Sequence, residues 1–264
     1  MTPETLTPEH DGPQTAAGFS SVAAVFDPVF ARLEHWADLV ERYAARPDRI
    51  ADRADLDPLM ESLVRREFTD SEGCVIGAGF VSAPNFLGWH LAWWLGGQNP
   101  AVSGLPATGI RHLETVEDPL DESFRDYTAL EWWRVPEQTG RRHITGPYVD
   151  YLCTDEYTLT LTLPVYRAAE LIGVVGIDLS VDEIERGLIP RLGADGVSVT
   201  VINSSGRVVV STDTHLATGA LLRLPGLSEH LNDQSGGAPG LPAGHTFQWC
   251  GQTGLAIVAG PAPS

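Results

Sequence analysis

Lysine is absent from this chain. All 17 basic residues are arginine, set against 35 Asp and Glu, and the formal net charge over 264 residues is −18. Without lysine there is no Schiff-base chemistry and no phosphate-loop lysine. The shortage of positive charge argues against nucleic acid, whose phosphates need a basic surface. It argues equally against anionic membrane surfaces. The same field favours a cationic small ligand. Cysteine is scarce too. Cys74, Cys153 and Cys250 are odd in number and form no CxxC pair, which speaks against a disulfide framework or a zinc knuckle and for buried thiols. No apolar run reaches the ~18 residues of a membrane span. The first residues, MTPETLTPEHDGPQT, lack the basic and apolar parts of a signal peptide, so a cytoplasmic protein is expected. HExxH, GxSxG and a full dinucleotide fingerprint are all missing. No catalytic residue, metal site or cofactor is therefore assigned, and the chain is expected not to be an enzyme.

What is present is a sizeable core. Hydrophobic residues make up 43% and charged residues 20%, a globular composition. Residues 1–18 are polar with Pro and Gly and read as a disordered tail. Val22, Val25, Phe26, Val29, Phe30, Leu33, Trp36, Val40 and Tyr43 then recur at helical spacing, closed by Pro47. A second helical pattern includes Leu56, Leu59, Leu63 and Phe68, with Asp55 or Asp57 as its cap and Pro58 near its start. These helices occupy 19–70. From Gly73 the period shortens. CVIGAGFVSA reads as a strand, and residues 85–95 as a second. Residues 96–121 form a long irregular excursion, of the kind that often carries function. A short Trp-rich helix follows, then the strands HITGPYVDYL, YTLTLTLPVYR and ELIGVVGIDLS. The helix after them has a capping box in Ser180 and Glu183. Residues 192–264 read as hairpins around Asn203–Gly206 and Gly251–Gly254, with a short helix at LPGLSEHL.

The densest constellation lies in 125–178. Trp132, Trp133, Tyr148, Asp150 and Asp178 each fall near the end of an element. Two carboxylates and an aromatic wall suit an ammonium group, through charge-assisted hydrogen bonds and cation–π attraction. The alternative is structural: both tryptophans in the core, Asp150 ending a strand and Asp178 leading into a helix.

The run Asp126-x-Thr128…Trp132-Trp133, GPYVD at 146–150, LTLPVY at 161–166 and GVVGID at 173–178 resembles the Cache sensor domains. These are PAS-like ligand-binding modules, double in many chemoreceptors and sensor kinases. The resemblance covers roughly 20–215. It implies an α+β fold, with a long N-terminal helix packed on a PAS-like antiparallel sheet. The Cache ligand-binding domain would span 71–191, and a smaller, reduced second module 192–264.

By the same resemblance, Trp132 packs on the ligand, Tyr148 and Asp150 hold an α-amino group, and the Asp that ends the GVVGID strand is Asp178; Tyr148, Asp150 and Asp178 are thus expected to bind the ammonium. The family's carboxylate-gripping Arg falls on Leu130, and an aromatic position falls on Arg125. The amine half of the motif is thus intact and the carboxylate half altered. The expected ligand is amine-bearing: a biogenic amine, a polyamine or an amino-acid-like molecule. Trp133 is a further stacking candidate. Arg125, Arg134, Arg141 and Arg142 are candidates for a distal acidic group. A stand-alone member of the family would signal through an unidentified protein partner. Helix 20–45 is the candidate homodimer element, unless its apolar face packs on its own domain. Two competing classes remain: a scaffold with a closed pocket, and a hydrolase using Asp150 and Asp178 as acid and base.

Overall fold

The apolar periodicity of the N-terminal third produces two helices. In the computed structural model, which describes residues 13–47, 50–70, 73–96, 109–149, 157–193, 197–232, 240–251 and 253–262, α1 spans Pro13–Ala44. It begins within the segment whose composition reads as a tail, so residues 13–18 are helical. Pro13 suits a first turn, where a missing N–H removes no intrahelical bond. Pro28 lies inside α1 on its exposed side, and the helix runs on through it. The buried stripe of Phe26, Phe30, Leu33, Trp36 and Val40 faces the chain's own core. The apolar face offered for dimerisation is therefore covered internally, and a partner would meet only the polar side. α2 spans Arg53–Asp70. Its cap is Asp52, whose Oδ1 accepts from the Ala54 N–H at 3.2 Å; Asp55, Asp57 and Pro58 are already helical.

Six strands follow: β1 (Val75–Ser82), β2 (Leu91–Leu95), β3 (Arg111–His112), β4 (His143–Val149), β5 (Tyr157–Arg167) and β6 (Glu170–Ser180). They form one antiparallel sheet in the order β3-β2-β1-β6-β5-β4. Residues 85–90 are turns rather than part of the second strand. The expected excursion contributes β3, and 97–108 lie outside the described residues. Between β3 and β4 come a 3-10 turn at Tyr127–Ala129 and helix α3 (Glu131–Thr139).

α4 (Val181–Leu192) continues directly from β6. Its expected capping box does not form. Ser180 makes no side-chain cap bond, because it is still the last strand residue, paired with Thr158. Glu183 pairs with Arg186 instead. The chain then builds β7 (Val197–Asn203), β8 (Val208–Ser211), α5 (Leu227–Asn232), β9 (Thr246–Trp249) and β10 (Leu255–Pro261). The second sheet has the order β8-β7-β10-β9. One apolar cluster runs from the first sheet through α1 and α4 to Val199, Val201, Leu255 and Ile257.

The first sheet has two different faces, as strand alternation requires. Ala78, Phe80, Ala92, Trp94, Leu159, Leu161, Val175 and Ile177 point toward the helices and the main core. Val81, Leu91, Trp93, Thr160, Thr162, Val174 and Asp178 point the other way, into a cavity.

Candidate ligand-binding site

The cavity has a volume of about 580 Å³. Strands β1, β2, β4, β5 and β6 form its floor, and the turn at Tyr127 and helix α3 form one wall. Asp178 sits at its buried end on the central strand β6, opposite Gly77 of β1 and Thr160 of β5. A side chain at Gly77 would crowd it: an added Cβ would lie 2.8 Å from Asp178 Oδ2 and 2.9 Å from Trp93 Nε1. Glycine there leaves room for both groups.

Three side chains form a hydrogen-bonded chain at this end. Thr160 Oγ1 donates to Asp178 Oδ1 at 2.6 Å. Tyr148 Oη lies 2.6 Å from Thr160 Oγ1. A threonine hydroxyl has a single proton. With Asp178 ionised, that proton goes to the carboxylate, so the Tyr148 hydroxyl donates to Thr160. This end of the cavity is thus lined by carboxylate and hydroxyl oxygens, a chemistry that suits a ligand carrying N–H donors.

Aromatic rings enclose the middle of the cavity. Tyr127 lies parallel to Trp132, with centroids 6.1 Å apart and planes 23° apart, and meets Trp89 edge-on at 5.1 Å. The Tyr127 hydroxyl donates to Ser82 O at 2.6 Å, which fixes the ring. Burial, reinforced by Glu117 and Asp126, pushes its pKa well above the ordinary range, so it remains a neutral donor. The rim is open. Glu114, Thr115, Ser123 and Arg125 are exposed, as are the apolar Val116 and Leu130 at 39% and 46%.

A charged clamp fixes this rim from behind. His90, buried just before β2, has Nε2 at 2.8 Å from Asp57 Oδ1 and Nδ1 at 2.9 Å from Glu117 Oε1. Two carboxylate partners suit the doubly protonated ring. Burial opposes that charge, but the hydrogen bonds to Asp57 and Glu117 prevail and raise the pKa of His90. For Glu117, burial works the other way too, but bonds from His90 and Arg53 hold its pKa below the ordinary value. Arg53 completes the clamp through an ion pair with Glu117 and a 2.7 Å bond to Leu87 O. The segment Leu113–Val116, which lines the cavity, is thereby tied to α2.

Of the residues singled out from sequence, Trp132, Tyr148, Asp178 and Arg125 line the cavity, and Leu130 stands beside them. Trp133 does not. It is 1% exposed and packed in the core behind Tyr127, at 5.4 Å. Adjacent helical residues point about 100° apart, so only one of the two tryptophans can face the ligand. Arg134 and Arg141 are exposed and outside the cavity lining. Arg142 lies on α1, 3.5 Å from Asp27 and over the Phe30 ring. Arg125 is at the rim, donating to the backbone oxygens of Glu122 and Phe124 at 3.3 and 2.9 Å. Asp150 and Cys153 lie outside the described residues. The scaffold alternative required a closed pocket, and the cavity beside Trp132 and Asp178 is open. His143 pairs with Glu131 at 2.9 Å. Among the described residues no cluster of His, Cys, Asp and Glu could hold a metal ion. Burial raises the Cys74 thiol to about 11 and the Cys250 thiol to about 12, so both are inert.

Sequence reading missed Thr160, Thr162, Trp89, Trp93 and Tyr127. The threonines left a signal: Thr158, Thr160 and Thr162 recur at period two along β5, which marks a polar face on a buried strand.

Residues 112–186 match the family described as the methyl-accepting chemotaxis protein-like, first PDC sensor domain. Solved ligand-binding and extracellular domains superpose on 94–95% of the chain. The fold is that of a Cache-type sensor domain. One structure with this Cache fold is the ligand-binding domain of the amino acid chemoreceptor PctC of Pseudomonas aeruginosa PAO1, solved with GABA. It is 15% identical, with a TM-score of 0.57, and the match covers 95% of this chain and 97% of that one. Another is the ligand-binding domain of the Pseudomonas fluorescens chemoreceptor CtaA with L-isoleucine, 14% identical, TM-score 0.57, covering 94% and 89%. A third is the extracellular domain of the putative histidine kinase soHK1S-Z6, 17% identical, TM-score 0.57, covering 94% and 91%. Among curated proteins none matches the chain in sequence. No helix among the described residues is long and apolar enough to cross a membrane. The cytoplasmic expectation draws no support from neighbours that include an extracellular domain.

Proposed function

We propose that this protein is a non-enzymatic sensor domain that reversibly binds a small amine-bearing metabolite and passes its occupancy to a partner protein. The observation that carries this reading is the buried acceptor set of Asp178, Thr160 and Tyr148 beneath aromatic rings. An ammonium brought to this end would make charge-assisted N–H bonds to the carboxylate. Trp132, Tyr127 and Trp89 add cation–π attraction and apolar contact. Leu130 stands where the family resemblance places a carboxylate-gripping arginine. Among the described lining residues the basic group is Arg125, out at the rim. An α-carboxylate next to the ammonium would therefore lack a partner, and this favours amines over α-amino acids.

A thermal-shift panel of primary amines, α-amino acids and organic acids tests the reading. A ligand at about 100 times its dissociation constant adds roughly 2.7 kcal/mol of stability. Amines should raise the melting temperature of the wild type and leave Asp178→Asn unmoved. A shift from carboxylic acids alone would overturn the assignment.

A further inference from the structure

One wall of the cavity is held at two points. Leu113 N–H donates to Trp93 O at 2.8 Å, and from there Glu114–Val116 run along the cavity outside any helix or strand. Among the described residues no backbone–backbone bond ties Glu114–Glu117 to another segment. The second point is the Glu117 side chain. It reaches inward to His90 Nδ1 at 2.9 Å and to the Arg53 guanidinium. Its charge extends to the aromatic wall, where it helps keep the Tyr127 hydroxyl protonated.

The second hold depends on one proton. His90 is 5% exposed and stands between Glu117 and Asp57 of α2, the latter at 2.8 Å from Nε2. A charged ring donates to both carboxylates. A neutral ring keeps one N–H and turns a lone pair toward the other carboxylate. The groups around it do not make good that loss. Arg53, also on α2, divides its donors between Glu117 and Leu87 O. On β1 the contact is uncharged, the Ser82 N–H donating to His90 O at 2.9 Å. Burial opposes the charge on His90, and the bonds to Asp57 and Glu117 outweigh it.

We propose that His90 and Glu117 are positioning residues for ligand binding, and that the cavity binds its ligand with uptake of a proton at His90. With His90 charged, Leu113–Val116 stand as a wall. As pH rises through the His90 value, Arg53 is left as the charged partner of Glu117, the wall loosens and affinity falls. By reciprocity, a ligand that needs the wall strengthens proton binding at His90. The proposal rests on the amine reading of the cavity for its probe.

The test is calorimetric titration with phenethylamine at about pH 6 and about pH 9, in buffers of different ionisation heat. A primary alkylammonium stays charged over most of that range, as lysine does with its value of about 10.4. The wild type should bind about fivefold more tightly at the acid end, a modest coupling between two sites, and should take up protons on binding near the His90 midpoint. His90→Gln and Glu117→Gln should bind at the weaker level at both pH values, with no proton uptake. A flat wild-type profile without proton uptake would overturn the proposal. So would a slope that survives in His90→Gln and vanishes in His143→Gln, the histidine paired with Glu131 on the α3 wall. If the wild type binds no phenethylamine at either pH, the amine reading falls, and magnetic resonance of the free protein decides the clamp. The Leu113–Val116 amide shifts should then follow the titration of the His90 ring. Shifts that ignore it would overturn the clamp as well.

Discussion

The two sheets treat buried threonine differently. In the second sheet, Thr200 is 3% exposed and its hydroxyl lies 2.8 Å from Ser211 Oγ on the neighbouring strand. At the β9–β10 turn, Thr253 Oγ1 donates to Cys250 O at 2.7 Å. In the first sheet, Thr160 hands its proton to a carboxylate facing a cavity, and Thr162 is left without a partner. The second sheet also has buried unpartnered polar atoms, Gln248 Oε1 and Trp249 Nε1, on half-buried residues of the edge strand β9. On β5 one buried hydroxyl thus serves a carboxylate at the cavity, and another makes no hydrogen bond. That difference distinguishes the cavity face of the first sheet from the second sheet.

The contrast can be broken or sharpened by substitution. The largest effect should come from the adjacent tryptophans. Trp133→Ala removes a core ring and should cost about 3–5 kcal/mol of stability, read from chemical denaturation. Trp132→Ala should leave the melting curve nearly unchanged and weaken ligand binding. Next comes Asp178→Asn, expected to weaken amine binding by about 2–4 kcal/mol. Thr200→Val in the second sheet should leave amine affinity as it is, and this serves as the matched control in the same titration. Gly77→Ala follows. Its Cβ would press on Asp178 Oδ2 and Trp93 Nε1, and overpacking of this sort costs about 1–3 kcal/mol. The loss should appear in ligand affinity as well as in thermal stability.

The smallest effect concerns pH. The folded-state pKa of His90 is raised, so the clamp's stabilisation is fully present below the unfolded value near 6.5 and is lost as pH rises through the folded value. Glu117, with a depressed pKa, contributes above its unfolded value and loses that contribution as pH falls through the folded one. The rim should therefore be held best in mildly acidic to neutral solution. His90→Gln should flatten the alkaline side of the stability–pH curve, and an unchanged slope there would show that the clamp is not titrating.

Much of the first sheet was legible because its strands are long and strongly patterned. β5 and β6 fall on the expected segments, and the resemblance through GPYVD and GVVGID located Tyr148 and Asp178. Other features were hidden for physical reasons. Which of Trp132 and Trp133 faces the cavity depends on the rotational phase of a nine-residue helix, and its neighbours set that phase. Trp93 and Trp94 point to opposite faces of β2, and sequence cannot say which face is hollow. The Ser180 box fails because strand pairing claims that residue first. Pro13 and Asp52 start their helices where composition gave only weak signals. The period-two threonines of β5 were readable, but alternation of that kind announces a strand before it announces a site.

The most direct measurement is a crystal structure of the protein with phenethylamine bound. The ammonium nitrogen should lie about 2.7–2.9 Å from the Asp178 carboxylate, with Tyr148 Oη as a second acceptor and the ring among Trp93, Tyr127 and Trp132. An amine lodged at the rim beside Glu114, with Asp178 untouched, would contradict the assignment of the buried end of the cavity as the ammonium site.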